Sequence, residues 1–133
     1  MEIDEVTGEV VDAAVKLHKR VGPGLLESVY QILLAKELER RGLDVERKKP
    51  VAIDIDGTRV ENAFVVDLLV EHAVVLELKS MEALAPVHWK QVLTYLRLLD
   101  LQVGLLINFG APTLKEGLHR VVNNYTPRLR GSA

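Results

Sequence analysis

The sequence predicts an α/β sandwich, in which helices cover an antiparallel meander extended by a crossover strand. Three observations carry that expectation. Apolar residues recur at helical spacing up to Arg41, strand-like texture with a hairpin dipeptide follows from Leu43 to Lys79, and the helical period returns after Pro86. The element order is therefore helix, helix, three strands, helix, strand, helix.

The first helix places Ile3, Val6, Val10, Ala13, Ala14 and Leu17 on one side and leaves the acids outward. Val21-Gly22-Pro23-Gly24 stops it and turns the chain. A second helix runs from about Leu25 to Arg41, with Leu26, Val29, Leu33 and Leu38 on its apolar side and Gly42 as its cap. Val51 to Ile55 alternates, Asp56-Gly57 is a hairpin turn, and strands follow at Ala63–Val70 and Val74–Lys79. Beside Gly57, Asp54 and Asp56 read as turn and strand-edge residues. After Pro86 the helical period passes through Val92, Leu96 and Leu99. Val103–Ile107 is a short apolar strand ended by Asn108-Phe109-Gly110-Ala111-Pro112, and Leu114–Val122 is expected to form a last amphipathic helix. No repeat or low-complexity segment interrupts the chain. Residues 1–125 are expected to form one domain, with 126–133 as a flexible tail.

Composition bounds the function. Of 133 residues, 48% are apolar and 27% charged, which is ordinary for a globular domain. With no cysteine there is neither a disulfide framework nor a thiolate metal site. No run reaches the length of a membrane span, and MEIDEVTGEV is unlike a signal peptide, so a soluble cytoplasmic protein without membrane contact is expected. The formal net charge of −2 argues against a general nucleic-acid coat while leaving room for a local basic patch.

The chemistry concentrates on the two central strands. Strict alternation puts Phe64, Val66, Leu68 and Val70 on one face of AFVVDLLV, and Val65, Asp67 and Leu69 on the other. In VVLELK it separates Val74, Leu76 and Leu78 from Val75, Glu77 and Lys79. A three-residue turn, Glu71-His72-Ala73, would set Val70 opposite Val74 and Asp67 opposite Glu77. A two- or four-residue turn would make the acids diagonal or flip one strand. Opposed carboxylates repel, so either one takes up a proton or a cation sits between them. Hard oxygen ligands suit Mg²⁺ or Mn²⁺, and His18, His72, His88 and His119 lack zinc-site spacing. Lys79 could act on a metal-side water or neutralise charge as a phosphodiester is attacked.

Two helices add polar groups. Glu27 and Tyr30 share one side of the second helix, and His88, Gln91 and Tyr95 form a stripe on the helix after Pro86. Tyr30, His88 and Tyr95 are thus substrate- or site-lining candidates. Each has a plainer reading: Glu27 as a first-turn acid favoured by the helix dipole, the others as core residues with satisfied polar tips. Trp89, with Leu93 and Leu96, marks either a contact surface or a tryptophan buried between helix and sheet.

Asp67, nine intervening residues, and Glu77-Leu78-Lys79 resemble the D-x(n)-(D/E)-x-K core of the PD-(D/E)XK nuclease superfamily. Together with GPGLLESVY, QVLTYL and GLLINFG they resemble the GxxExxY family, small prokaryotic proteins placed in that superfamily, over about residues 5 to 122. The resemblance implies a restriction-endonuclease-like αβββαβ core, a mixed sheet flanked by helices. It also implies a Mg²⁺-dependent nuclease, with Mn²⁺ as a substitute and DNA favoured over RNA. In that scheme Asp67 and Glu77 are the metal ligands, Leu78 lends its carbonyl, and Lys79 is the catalytic lysine. Glu27 is the helix-borne acid near the metal, and Gln91 the glutamine lining the site, with Tyr95 beside it. Val66 stands where the pattern has a proline-like residue. With few aromatics and a slight acidic excess, such an enzyme would need a homodimer, a protein partner or a special substrate to find its target.

Two other function classes compete. One is a non-catalytic nuclease-fold module that binds or regulates. The other is a purely structural domain with a surface ion pair, for which Asp67→Asn and Glu77→Gln would stabilise nothing.

Overall fold

The computed structural model describes residues 1–125; the tail expected from Thr126 lies outside them. Five strands form one sheet in the order β1 (Val45–Ile55), β2 (Thr58–Val70), β3 (Val74–Lys79), β4 (Val103–Asn108) and β5 (Leu118–Val122). Helices α1 (Ile3–Val21) and α2 (Glu27–Arg40) cover one face, and α3 (Pro86–Leu99) covers the other. A single turn, α4 (Leu114–Gly117), precedes β5. Only β3 and β4 are parallel, because α3 carries the chain from one to the other; every other neighbour pair is antiparallel. This is the mixed α/β sheet flanked by helices that the sequence implied. No helix among the described residues is long and apolar enough to cross a membrane.

The larger core joins Val6, Val10, Leu34, Leu38, Leu68, Leu76, Leu105 and Phe109 between α1, α2 and the sheet. A smaller one joins Val66, Leu69, Val75, Val92, Leu96 and Leu106 beneath α3. All six residues of β4 are buried, which matches the continuous apolar run of a strand covered on both faces. At Gly104 a side chain would collide with Val92, so α3 approaches β4 closely there. The end of α2 is closed by a Schellman motif. The Gly42 N–H, at φ 84°, donates to the Glu39 carbonyl (2.9 Å) and the Leu43 N–H to the Leu38 carbonyl (3.1 Å).

Three expectations need correction. Leu114–Val122 is helical for one turn only; Leu118–Val122 pairs with β4 from Ile107↔Leu118 to Val103↔Val122. Pairing satisfies the backbone of an otherwise open sheet edge and suits Val121 and Val122, so it outweighs a weak helical period. On α2 the buried stripe is Tyr30, Leu34 and Leu38, flanked by Gln31 and Ala35, while Leu26 and Leu33 face outward. Leu38 was placed correctly, whereas Leu26 and Leu33 were not, because adjacent leucines at 33 and 34 fit either phase.

The third concerns β2. Phe64 and Val66 pack under α3 with Leu69 and Val75, not with Leu68 and Val70 against α1 and α2. The strand turns over at Asp67, and β1 turns over beside it. Lys48, the residue that would pair with Asp67, has a left-handed φ of 52° and drops out of the ladder. Lys49 then shares a side with Glu46, to which its ammonium bonds at 2.8 Å. A local break in alternation of this kind re-aims side chains and is common beside active sites.

Candidate functional site

The turn Glu71–Ala73 has three residues, with Glu71 and His72 at φ 53° and 54°, and it sets the register Val70↔Val74, Leu69↔Val75 and Leu68↔Leu76. Beyond Leu68 and Leu76 the backbone ladder stops and side chains take over. The Asp67 N–H donates to Glu77 Oε1 at 3.2 Å, and the Leu78 N–H donates to Asp67 Oδ2 at 2.9 Å. β2 and β3 thus part in a fork, and the two carboxylates fill it.

Burial and charge shape this pair. Glu77 is only 5% exposed. Burial first, then the neighbouring Asp67 charge, pushes its carboxyl up to about 8. Burial also raises Asp67, opposed by the Leu78 N–H and by the Lys79 charge. Lys79 lowers both carboxyls through space yet makes no ion pair among the described residues. The surface Glu77–Lys79 pair of a purely structural domain is therefore absent.

Glu27 and Tyr95 approach the pair from opposite layers. Glu27, the first residue of α2, is exposed, and its charge raises both carboxyls. Tyr95 on α3 stacks on Phe64, with ring centroids 4.2 Å apart. Its phenol is raised by burial and then by the Glu77 and Asp67 charges. Gln91 is exposed one helical turn before Tyr95, on the same side of α3. The Leu78 N–H faces Asp67, and a strand residue presents its N–H and C=O to the same neighbour, so its carbonyl also faces the fork.

Two candidates are otherwise engaged. Tyr30 is fully buried, stacked on Phe109 at 4.4 Å, with its hydroxyl donating to the Gly22 carbonyl at 2.6 Å. It has no surface to offer a substrate. His88 caps α3, its Nδ1 accepting the Ala85 N–H at 2.9 Å, which occupies that nitrogen. Trp89 is 44% exposed, so burial between helix and sheet is ruled out, whereas Leu96 is fully buried and leaves the patch. With Leu84, Pro86, Leu93 and Val121 the tryptophan lines a hollow of about 690 Å³. Neither Asp67 nor Glu77 lines it.

Three contributors escaped the sequence reading. Phe64 supplies the stacking partner of Tyr95. Ser80 binds the Leu25 carbonyl at 2.6 Å. Gln31, one turn after Glu27, is 6% exposed with an amide oxygen that finds no partner among the described residues. Only the i, i+4 spacing of Glu27 and Gln31 was visible beforehand.

Among the described residues no three His, Cys, Asp or Glu side chains are grouped to hold a metal. The fork offers two carboxylates and a carbonyl. That set fits a hard cation such as Mg²⁺, which keeps several waters and binds through one or two carboxylates, and not a closed structural site.

A fork-held acid pair with a lysine two residues on is thus set in a mixed sheet flanked by helices. The model of the PD-(D/E)XK nuclease superfamily matches residues 4–121, and the chain belongs to that superfamily. No curated protein and no solved structure matches it.

Proposed function

We propose that the chain is a Mg²⁺-dependent nuclease of the GxxExxY family that hydrolyses phosphodiester bonds, with DNA preferred over RNA and Mn²⁺ able to replace Mg²⁺. The carrying observation is the pair of half-buried Asp67 and buried Glu77, held together at the cost of a Glu77 carboxyl raised to about 8. An acid pair of this kind weakens the fold unless a proton or a cation offsets its charge, and carboxyls so perturbed cluster at functional sites. Membership of a nuclease superfamily supplies the reaction class.

Asp67 and Glu77 would hold the cation, with the Leu78 carbonyl beside them. Once bound, the cation supplies Lewis-acid stabilisation of charge on the phosphoryl and leaving oxygens. The Lys79 ammonium, free of any ion pair among the described residues, orients the attacking water and offsets charge on the phosphate. Glu27 and Gln91 orient water from the two helical layers, and Tyr95 limits the space above Glu77. With a net charge of −2 the enzyme would reach its target through a homodimer or a protein partner, in the cytoplasm.

The test is cleavage of single-stranded, duplex and branched DNA and of RNA with Mg²⁺ or Mn²⁺. Metal is expected to raise the melting temperature of the wild type, and Glu77→Ala to lose both that shift and cleavage. Undiminished cleavage by Glu77→Ala would sink the assignment. The exposed Trp89 and its hollow favour a second reading, a non-catalytic nuclease-fold binding or regulatory subunit. Binding without cleavage on every substrate would select it.

A further inference from the structure

The start of α2 has no cap of its own. Leu26, at the N-cap, has no side chain able to accept a hydrogen bond, and it is 73% exposed, so burial does not hold this turn either. The preceding residue is instead gripped at both ends. The Leu25 N–H donates to the Tyr30 hydroxyl at 3.2 Å, and the Leu25 carbonyl accepts from Ser80 Oγ at 2.6 Å. The Tyr30 hydroxyl in turn donates a hydrogen bond to the Gly22 carbonyl at 2.6 Å, and its ring is stacked on Phe109. Tyr30 thus ties the loop to the core, and Ser80 ties it to the end of β3, one residue after Lys79.

We infer that Tyr30 and Ser80 are positioning residues that lock Leu25 so that Glu27, two residues on, is held over the Asp67–Glu77 fork. The clamp joins Glu27 to the strand that carries Glu77 and Lys79. Without it the uncapped first turn frays, and the acid leaves the site while the rest of α2 stays packed. The inference rests on the reading of Asp67 and Glu77 as a cation site.

Mn²⁺ titration by calorimetry on the full chain tests it, with melting temperature recorded alongside. Ser80→Ala is expected to weaken Mn²⁺ binding about 10-fold, the lower end of what outer-shell partners of metal ligands cost. Tyr30→Phe, which keeps the ring and loses the hydroxyl, should do the same. In a Glu27→Gln background, Ser80→Ala should bring no further loss, because the residue it acts through is gone. A merely structural serine would lower the melting temperature and leave the affinity alone. Unchanged Mn²⁺ affinity in Ser80→Ala, or an equal loss with and without Glu27, overturns the clamp while leaving the cation site standing. A wild type that binds no Mn²⁺ overturns both.

Discussion

β2 and β3 are two strands with two occupations, divided within a single residue. From Leu68 to Val70 and Val74 to Leu76 they pair backbone to backbone, and their side chains fill both cores. From Asp67 and Glu77 onward the ladder gives way to carboxylates that accept N–H groups from the opposite strand. The lower half stabilises the fold, whereas the upper half holds two carboxyl groups, Glu77 buried and Asp67 half-buried, against the cost of their desolvation. The contrast teaches that the site needs no special element. It needs only that a well-packed hairpin stop pairing where its strands diverge.

The strongest way to separate the halves is Lys79→Ala, which should lower cleavage ~10²–10⁴-fold, as loss of a group assisting proton transfer does. The metal-induced rise in melting temperature should survive, since Lys79 binds no cation. Loss of that rise would place Lys79 in the binding step.

Below the fork, Leu76→Ala should cost about 2–5 kcal/mol of stability in urea unfolding, because it opens a cavity in the larger core. Metal affinity of the folded fraction should hold. A cost under 1 kcal/mol would show that the lower half is not the anchor described here.

The halves also differ in their response to pH. In the unfolded chain Glu77 releases its proton near the ordinary value of 4.5, whereas in the folded, metal-free protein it keeps it to about 8. The unfolded state therefore gains relative to the folded one as pH rises through that window, and stability falls from pH 4.5 to 8. Asp67, also raised by burial, adds a loss of the same sign. Melting curves in chelator should show this decline, and Glu77→Gln, whose amide oxygen can still accept the Asp67 N–H, should flatten it and stabilise the protein at pH 8. A flat wild-type profile would contradict the burial of the Glu77 carboxyl.

The smallest effect is expected at Gln31→Met. Replacing a buried, unpartnered amide oxygen with an apolar chain should stabilise by about 1 kcal/mol in urea titration. A loss of stability instead would show that the oxygen is satisfied in solution.

Much of the site was legible beforehand because its signals are local. Glu77 and Lys79 lie two apart on one strand, and a three-residue turn, one of the lengths the sequence allows, aligns Asp67 with Glu77. Alternation failed at Asp67 because the paired distortion with Lys48 involves two strands, and neither segment marks it by itself. Tyr30 looked available beside Glu27, yet helical spacing does not say which side of a tyrosine meets the core. The β5 segment kept a helical period that only the open edge of β4 could override.

By itself the sequence determined the elements from α1 to β4, though not β5, and the identities of Asp67, Glu77 and Lys79. These depend on neighbours a few residues apart. The tertiary structure alone decided that the strands part at a fork, that both roll over beside it, and that Leu25 is held by Ser80 across 55 positions of chain. Contacts at that separation leave no periodic trace, because they arise only once the packed helices and sheet bring distant backbone groups within hydrogen-bonding reach.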